Sequence, residues 1–116
     1  MTSISVSTTS GDHGDDSPWV VVVRGELDIS GVGQVGRALA DLEGGPGEVI
    51  ALDLREVVHL DSSGLRLLLD AEARARRHGR RFVVVAGTDG AVGRLLSLTM
   101  LADHVEVVSD LVAIRR

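Results

Sequence analysis

Cysteine and lysine are both missing from the 116 residues, tyrosine is missing too, and Trp19 and Phe82 are the only aromatic side chains. Without cysteine there is no disulfide, no thiolate nucleophile and no cysteine-ligated metal. With two aromatics there is little surface on which bases or sugars would stack. All 12 basic residues are arginine, and 17 acidic residues leave a net charge of -5 and a pI near 5.2, which argues against nucleic acid as the main partner. No stretch of about 20 apolar residues and no signal sequence is present, so a cytoplasmic location without membrane insertion is the expectation. With 44% hydrophobic and 25% charged residues the composition is globular. The length suits a single domain over 1–116, and is too short for a catalytic domain with a separate cofactor domain.

What is present centres on residues 49–79. From Val49 to Leu54, Ile50, Leu52 and Leu54 alternate with Ala51 and Asp53, the two-residue period of a strand. A short connector leads to the tetrad Asp61, Ser62, Ser63, Gly64, after which the period becomes helical. On a helical wheel Leu65, Leu67, Leu68, Leu69, Ala71 and Ala75 form an apolar arc, with Arg66, Asp70, Arg74 and Arg77 facing outward. The tetrad therefore opens a helix. A helix start leaves about four N–H groups unpaired, and one short oxygen-bearing side chain is an ordinary cap. Asp61, Ser62 and Ser63 supply more capping oxygen than that, and neither serine is followed three residues later by Glu or Gln, so no capping box forms. A spare hydroxyl at a helix N-terminus is well placed for phosphorylation, because the amides and the helix dipole favour incoming negative charge. Gly64, lacking a side chain, is read as room for a partner to approach.

The remaining chain reads as alternating strands and helices. Ile4 and Val6 mark an edge strand, followed within residues 1–17 by a polar loop. Trp19 to Val23 is a buried strand, and Arg24 to Asp28 carries the chain out of it. Val32, Val35, Leu39 and Leu42 predict a helix weakened by Gly31, Gly33 and Gly36 and ended at Gly44 to Gly47. Gly79 ends the organising helix before a strand at Phe82 to Ala86. Thr88 or Asp89 can cap a helix carrying Val92, Leu95, Leu96 and Met100. His104 to Val108 is the last strand, and Asp110 to Ile114 a short terminal helix. This order implies an α/β fold: a small mixed sheet, mostly parallel, with an antiparallel N-terminal strand. The helices should lie mainly on one face, because Ala51 and Asp53 leave the other face of the central strand poor in apolar bulk.

Several motifs compete with the tetrad. Gly31, Gly33 and Gly36 spell G-x-G-x-x-G, with Asp53 near the spacing of a dinucleotide fingerprint. A true fingerprint starts directly after its strand, however, whereas Arg24 to Ser30 intervenes and Glu26 and Asp28 would oppose a pyrophosphate. Asp12, His13, Asp15 and Asp16 resemble a metal cluster in composition only, since a polar loop supplies no fixed geometry. No G-x-S-x-G elbow accompanies Ser62, and His59, the histidine nearest in sequence, is better read as a connector residue packing beside Leu60. A receiver-type phosphoaspartate domain needs a lysine the chain lacks. The expectation is thus a non-enzyme with neither cofactor nor metal.

The blocks RGELDIS at 24–30, LDLREVVHLDSSGLRLLL at 52–69 and VGRLLSLTMLADHV at 92–105 together resemble the STAS domain of bacterial anti-sigma factor antagonists, from about Trp19 to the C-terminus. Two positions depart from that pattern: the glycine-rich start of the first helix, and Met100, where the family commonly has glycine. The resemblance implies the STAS fold and a partner switch. It implies phosphorylation of the first serine after the aspartate, here Ser62, by an anti-sigma factor that is itself a serine kinase, and resetting by a serine phosphatase. Asp28, Asp61, Ser62, Ser63, Gly64 and Arg66 are the expected partner-binding residues. The alternative is a STAS module serving as scaffold or regulatory subunit, for example with a membrane transporter, in which Ser62 merely caps.

Overall fold

The computed structural model describes residues 4–10, 18–42 and 49–114, and these follow the alternating periods of the sequence. Strands β1 (Ile4–Ser10), β2 (Trp19–Leu27), β3 (Val49–Leu60), β4 (Arg81–Val85) and β5 (Glu106–Val108) make one sheet in that order. β1 runs antiparallel to β2, and the other three pairings are parallel. Helices α1 (Val32–Asp41), α2 (Ser62–Arg77) and α3 (Ala91–Leu98) fill the successive crossovers.

The two-residue period sorts each strand between two faces. Val21, Val23, Ile50, Leu52, Leu54, Phe82 and Val84 meet Val35, Leu68, Ala75, Val92 and Leu96 of the three helices. On the opposite face Val20, Ala51, Val83 and Val85 meet Ile114, with Leu111 beside it. The three helices therefore share one face, and the other receives the 3-10 turn Leu111–Ile114 where a terminal helix was expected. Asp53 sits on this second face, only 5% exposed. Its carboxylate accepts hydrogen bonds from the Arg55 amide and Nε at 3.0 Å each, and from a terminal guanidinium nitrogen at 2.8 Å. That bond holds the Arg55 guanidinium charged, its pKa raised above the ordinary value.

Several boundaries differ from the sequence reading. Residues 55–60, expected as a connector, continue β3, and β2 likewise extends to Leu27. The two strands stay paired through two register shifts flanking Gly25, which adopts φ 104°, a conformation open mainly to glycine. β1 includes Thr8, Thr9 and Ser10 because their backbone pairs with Val21, Val20 and Trp19, whatever their polarity. α3 begins after Gly90 with no side-chain cap, so neither Thr88 nor Asp89 serves. β5 starts at Glu106, after a 3-10 turn at Leu101–Asp103. The Gly44 to Gly47 stop and the Asp12, His13, Asp15, Asp16 group lie outside the described residues.

The helix ends follow known chemistry. α2 closes in a Schellman motif: Gly79 takes φ 69°, its amide bonds Arg76 O at 3.1 Å, and the Arg80 amide bonds Ala75 O at 2.8 Å. After α3 the left-handed position falls to Met100, at φ 58° and ψ 23°. A side chain there costs roughly 1–2 kcal/mol, and Met100 is largely exposed, so little packing offsets it. Met100→Gly is expected to raise stability by about 1 kcal/mol, less the added freedom of the unfolded chain, as a higher denaturant midpoint with unchanged slope. Leu68→Ala, which empties a fully buried site, is expected to lower stability by about 2–5 kcal/mol in the same measurement.

Candidate functional site at the start of the second helix

The C-terminal ends of β2 and β3 lie side by side, with Leu27 opposite Leu60. From there the chain must turn sharply into α1 on one side and α2 on the other. Asp61 makes the second turn. Its extended backbone lets the Asp61 amide bond Leu27 O at 3.4 Å, while its carboxylate accepts the Ser63 amide at 2.9 Å and the Gly64 amide at 3.4 Å. Two of the unpaired N–H groups of the helix start are thereby satisfied by one side chain. Asp61 is the N-cap, so neither serine is needed as one.

Gly64 is buried against the same strand ends. A β-carbon there would lie 2.9 Å from Leu27 O and 2.9 Å from Leu60 Cγ. Gly64 thus gives its space to the chain's own strands, which replaces the sequence-based reading of room for a partner. On the other side Asp28 makes an Asx turn, its Oδ1 accepting from the Ser30 amide at 3.0 Å and the Ser30 hydroxyl at 2.7 Å. The amides of Gly31 and Val32 bond Asp28 O, seating α1.

Ser62, the first residue of α2, is exposed, and its hydroxyl has no hydrogen bond to any described residue. Ser63 is half-buried, with its amide held by Asp61. Arg66 is exposed one turn further on. The fold therefore brings Asp28, Asp61, Ser62, Ser63 and Gly64 to one end of the sheet, with Arg66 just beyond on the outer side of α2. Three apolar residues in these same segments escaped the sequence reading. Ile29, beside Asp28, is 76% exposed, Val58 on β3 is 67% exposed, and Leu69 on α2 is 42% exposed. Leu69 corrects the helical wheel, whose apolar arc is narrower than drawn. The signal that Ile29 and Val58 face outward was absent, because a β-branched residue in such a run reads as core.

Packing within the chain accounts for Gly31 and Gly36 of the competing glycine motif, while Gly33 faces open space. A β-carbon on Gly31 would lie 2.8 Å from Ile4 Cδ1, and one on Gly36 3.9 Å from Leu67, so both face neighbouring elements of the chain. Asp53 is buried within β3 and held by Arg55. His59 is exposed and lies opposite Glu26 in register, so it does not pack beside Leu60. A cavity of about 150 Å³ between α1 and α2, floored by Leu39, Leu67, Ala71 and Phe82, does not include the tetrad. Among the described residues no group of acidic and histidine side chains could hold a metal, and no helix is long and apolar enough to cross a membrane.

Comparison with known proteins places this arrangement. A family model described as "Mlab, STAS domain" matches residues 10–112, and the chain belongs to the STAS-domain family. It is 30% identical over 105 residues to the anti-sigma-B factor antagonist of Listeria monocytogenes, covering 90% of this chain and 87% of that protein. It is similar to the crystal structure of an anti-sigma factor antagonist from Mycobacterium paratuberculosis, with TM-score 0.76 and 28% identity over 95% of this chain and 91% of that one. Unphosphorylated SpoIIAA shares the fold at TM-score 0.68 and 17% identity, covering 93% of each chain. The phosphorylated form of SpoIIAA, from Bacillus, gives 0.64 and 18%, covering 93% of this chain and 96% of that one.

The roles of Asp61 and Gly64 are separable by substitution. Asp61→Ala is expected to cost about 1 kcal/mol, the loss of one cap. Gly64→Ala is expected to cost more, because the rigid carbonyl of Leu27 blocks the added methyl. Denaturant unfolding that ranks Asp61→Ala as the more damaging would reverse the assignment.

Proposed function

We propose that the chain is an anti-sigma factor antagonist working as a partner switch. Unphosphorylated, it binds an anti-sigma factor and frees the sigma factor; phosphorylated on Ser62, it lets go. The anti-sigma factor is the serine kinase, a serine phosphatase resets the switch, and the setting is the cytoplasm. The observation that carries this reading is the division of labour at the start of α2: Asp61 does the capping, which leaves the exposed Ser62 hydroxyl free of a structural role. The relatives named as anti-sigma factor antagonists support the partner class. No base among the described residues is hydrogen-bonded to the Ser62 hydroxyl, which suits a hydroxyl activated by a kinase rather than a catalytic serine activated within its own chain.

The binding surface comprises the exposed residues around the tetrad, with Ile29, Val58 and Leu69 supplying apolar contact and Asp28, Asp61, Ser63 and Arg66 the polar surroundings. Phosphate adds about -1.5 to -2 charge at its centre. Against a desolvated or acidic partner surface a penalty of about 3 kcal/mol weakens binding roughly 100-fold.

Ser62→Ala is expected to fold normally, refuse phosphate and stay bound to its anti-sigma factor in ATP. Ser62→Asp is expected to bind more weakly than wild type but less weakly than the phosphoprotein, since it adds about one charge instead of two. Intact-mass analysis and titration calorimetry with the co-encoded kinase read both outcomes. Phosphate found on Ser63 would overturn the residue assignment, and phosphate on neither serine would favour the scaffold reading.

A further inference from the structure

Arg66 stands four residues after Ser62 on α2, and both side chains are exposed. Residues so spaced are neighbours on a helix surface, about 5–6 Å apart at Cβ. Among the described residues Arg66 makes no ion pair, although Asp70 follows it by the same spacing. An anion stabilises a helical pair best when it precedes the cation, and Arg66 precedes Asp70. Phosphate on Ser62 would reverse that order. It would place nearly two negative charges ahead of the arginine, at the positive end of the helix dipole, with oxygens that match the guanidinium fork. The other arginines of α2, Arg74, Arg76 and Arg77, lie in its last turn, about 18 Å or more along the axis.

We propose that Arg66 receives the phosphate of Ser62 within the same chain, so that phosphorylation both adds an anion to the surface and withdraws a cation from it. This rests on Ser62 being the phosphorylated residue. The nearby carboxylates are engaged elsewhere and do not compete with the phosphate for Arg66: Asp61 accepts the Ser63 and Gly64 amides, and Asp28 accepts from Ser30. Before phosphorylation Arg66 projects from the outer side of α2, where a partner carboxylate can reach it. Afterwards Arg66 is engaged by its own chain, and that partner carboxylate meets a phosphate–guanidinium pair of net negative charge instead. Arg66 thus offers a partner a free cation in one state and an occupied one in the other.

The test installs phosphoserine at position 62 of the full chain by codon reassignment, without any kinase, and follows the phosphate by phosphorus NMR across pH 4–8. The second ionisation of an isolated phosphoserine falls near pH 6, and Arg66 favours the dianion over the monoanion. The expected midpoint in the wild-type phosphoprotein is lower by about 0.3 pH unit or more than in Arg66→Gln, with Arg66→Lys between the two. The Arg66 side-chain N–H signals should also shift on phosphorylation. Unphosphorylated Arg66→Gln should unfold at the wild-type denaturant midpoint, as befits an exposed side chain. Superimposable titrations of the wild-type and Arg66→Gln phosphoproteins would overturn the proposal. Failure of every co-encoded kinase to modify Ser62 would sink the switch itself, and would be seen in a separate assay from this titration.

Discussion

The seating of α2 on the paired ends of β2 and β3 is the constraint on which the site depends. Leu27 O accepts the Asp61 amide, and the same carbonyl lies where a β-carbon on Gly64 would go. The helix start is therefore pressed onto the strands at a spot only glycine fits, and Asp61 commits its carboxylate to the amides that this tight entry leaves unpaired. Two consequences follow together. The orientation of α2 is set at its first turn, and Ser62 is carried out to solvent while Gly64 and Leu68 turn inward.

If Ser62 is phosphorylated, as proposed, its surroundings suit charge as the signal. The helix dipole would favour a phosphate on Ser62 within the chain itself. The same phosphate is costly to a partner that must desolvate it. Ile29, Val58 and Leu69 give the surrounding segments exposed apolar area.

Asp53 and Arg55 show a different solution to the same problem of charge near apolar surface. They are two residues apart on one strand, so they share a face, and the guanidinium covers the carboxylate with two parallel hydrogen bonds. This lets a strand that is apolar on its helix side carry an acid on the other, under a second face where Ala51 leaves little bulk and, among the described residues, the 3-10 turn Leu111–Ile114 is the cover. At the N-terminal end of β4, Arg81 and Glu106 likewise tie the short β5 to its neighbour, and the arginine holds the Glu106 carboxyl below the usual carboxylate range.

The sequence by itself determined the order of strands and helices, the parallel sheet and the helix start at the tetrad, because those follow from apolar period and from capping chemistry, which act over a few residues. It also determined that Asp61, Ser62 and Ser63 were more capping oxygen than one helix needs. Only the tertiary structure decided which oxygen caps, since that depends on where Leu27 O stands, some 34 positions away in the chain from Asp61. The same distance effect made Gly64 a packing residue, turned 55–60 from connector into strand by pairing it with β2, and left Ile29, Val58 and Leu69 outside the core. Each of these is a contact between distant segments, and local pattern carries no record of such contacts.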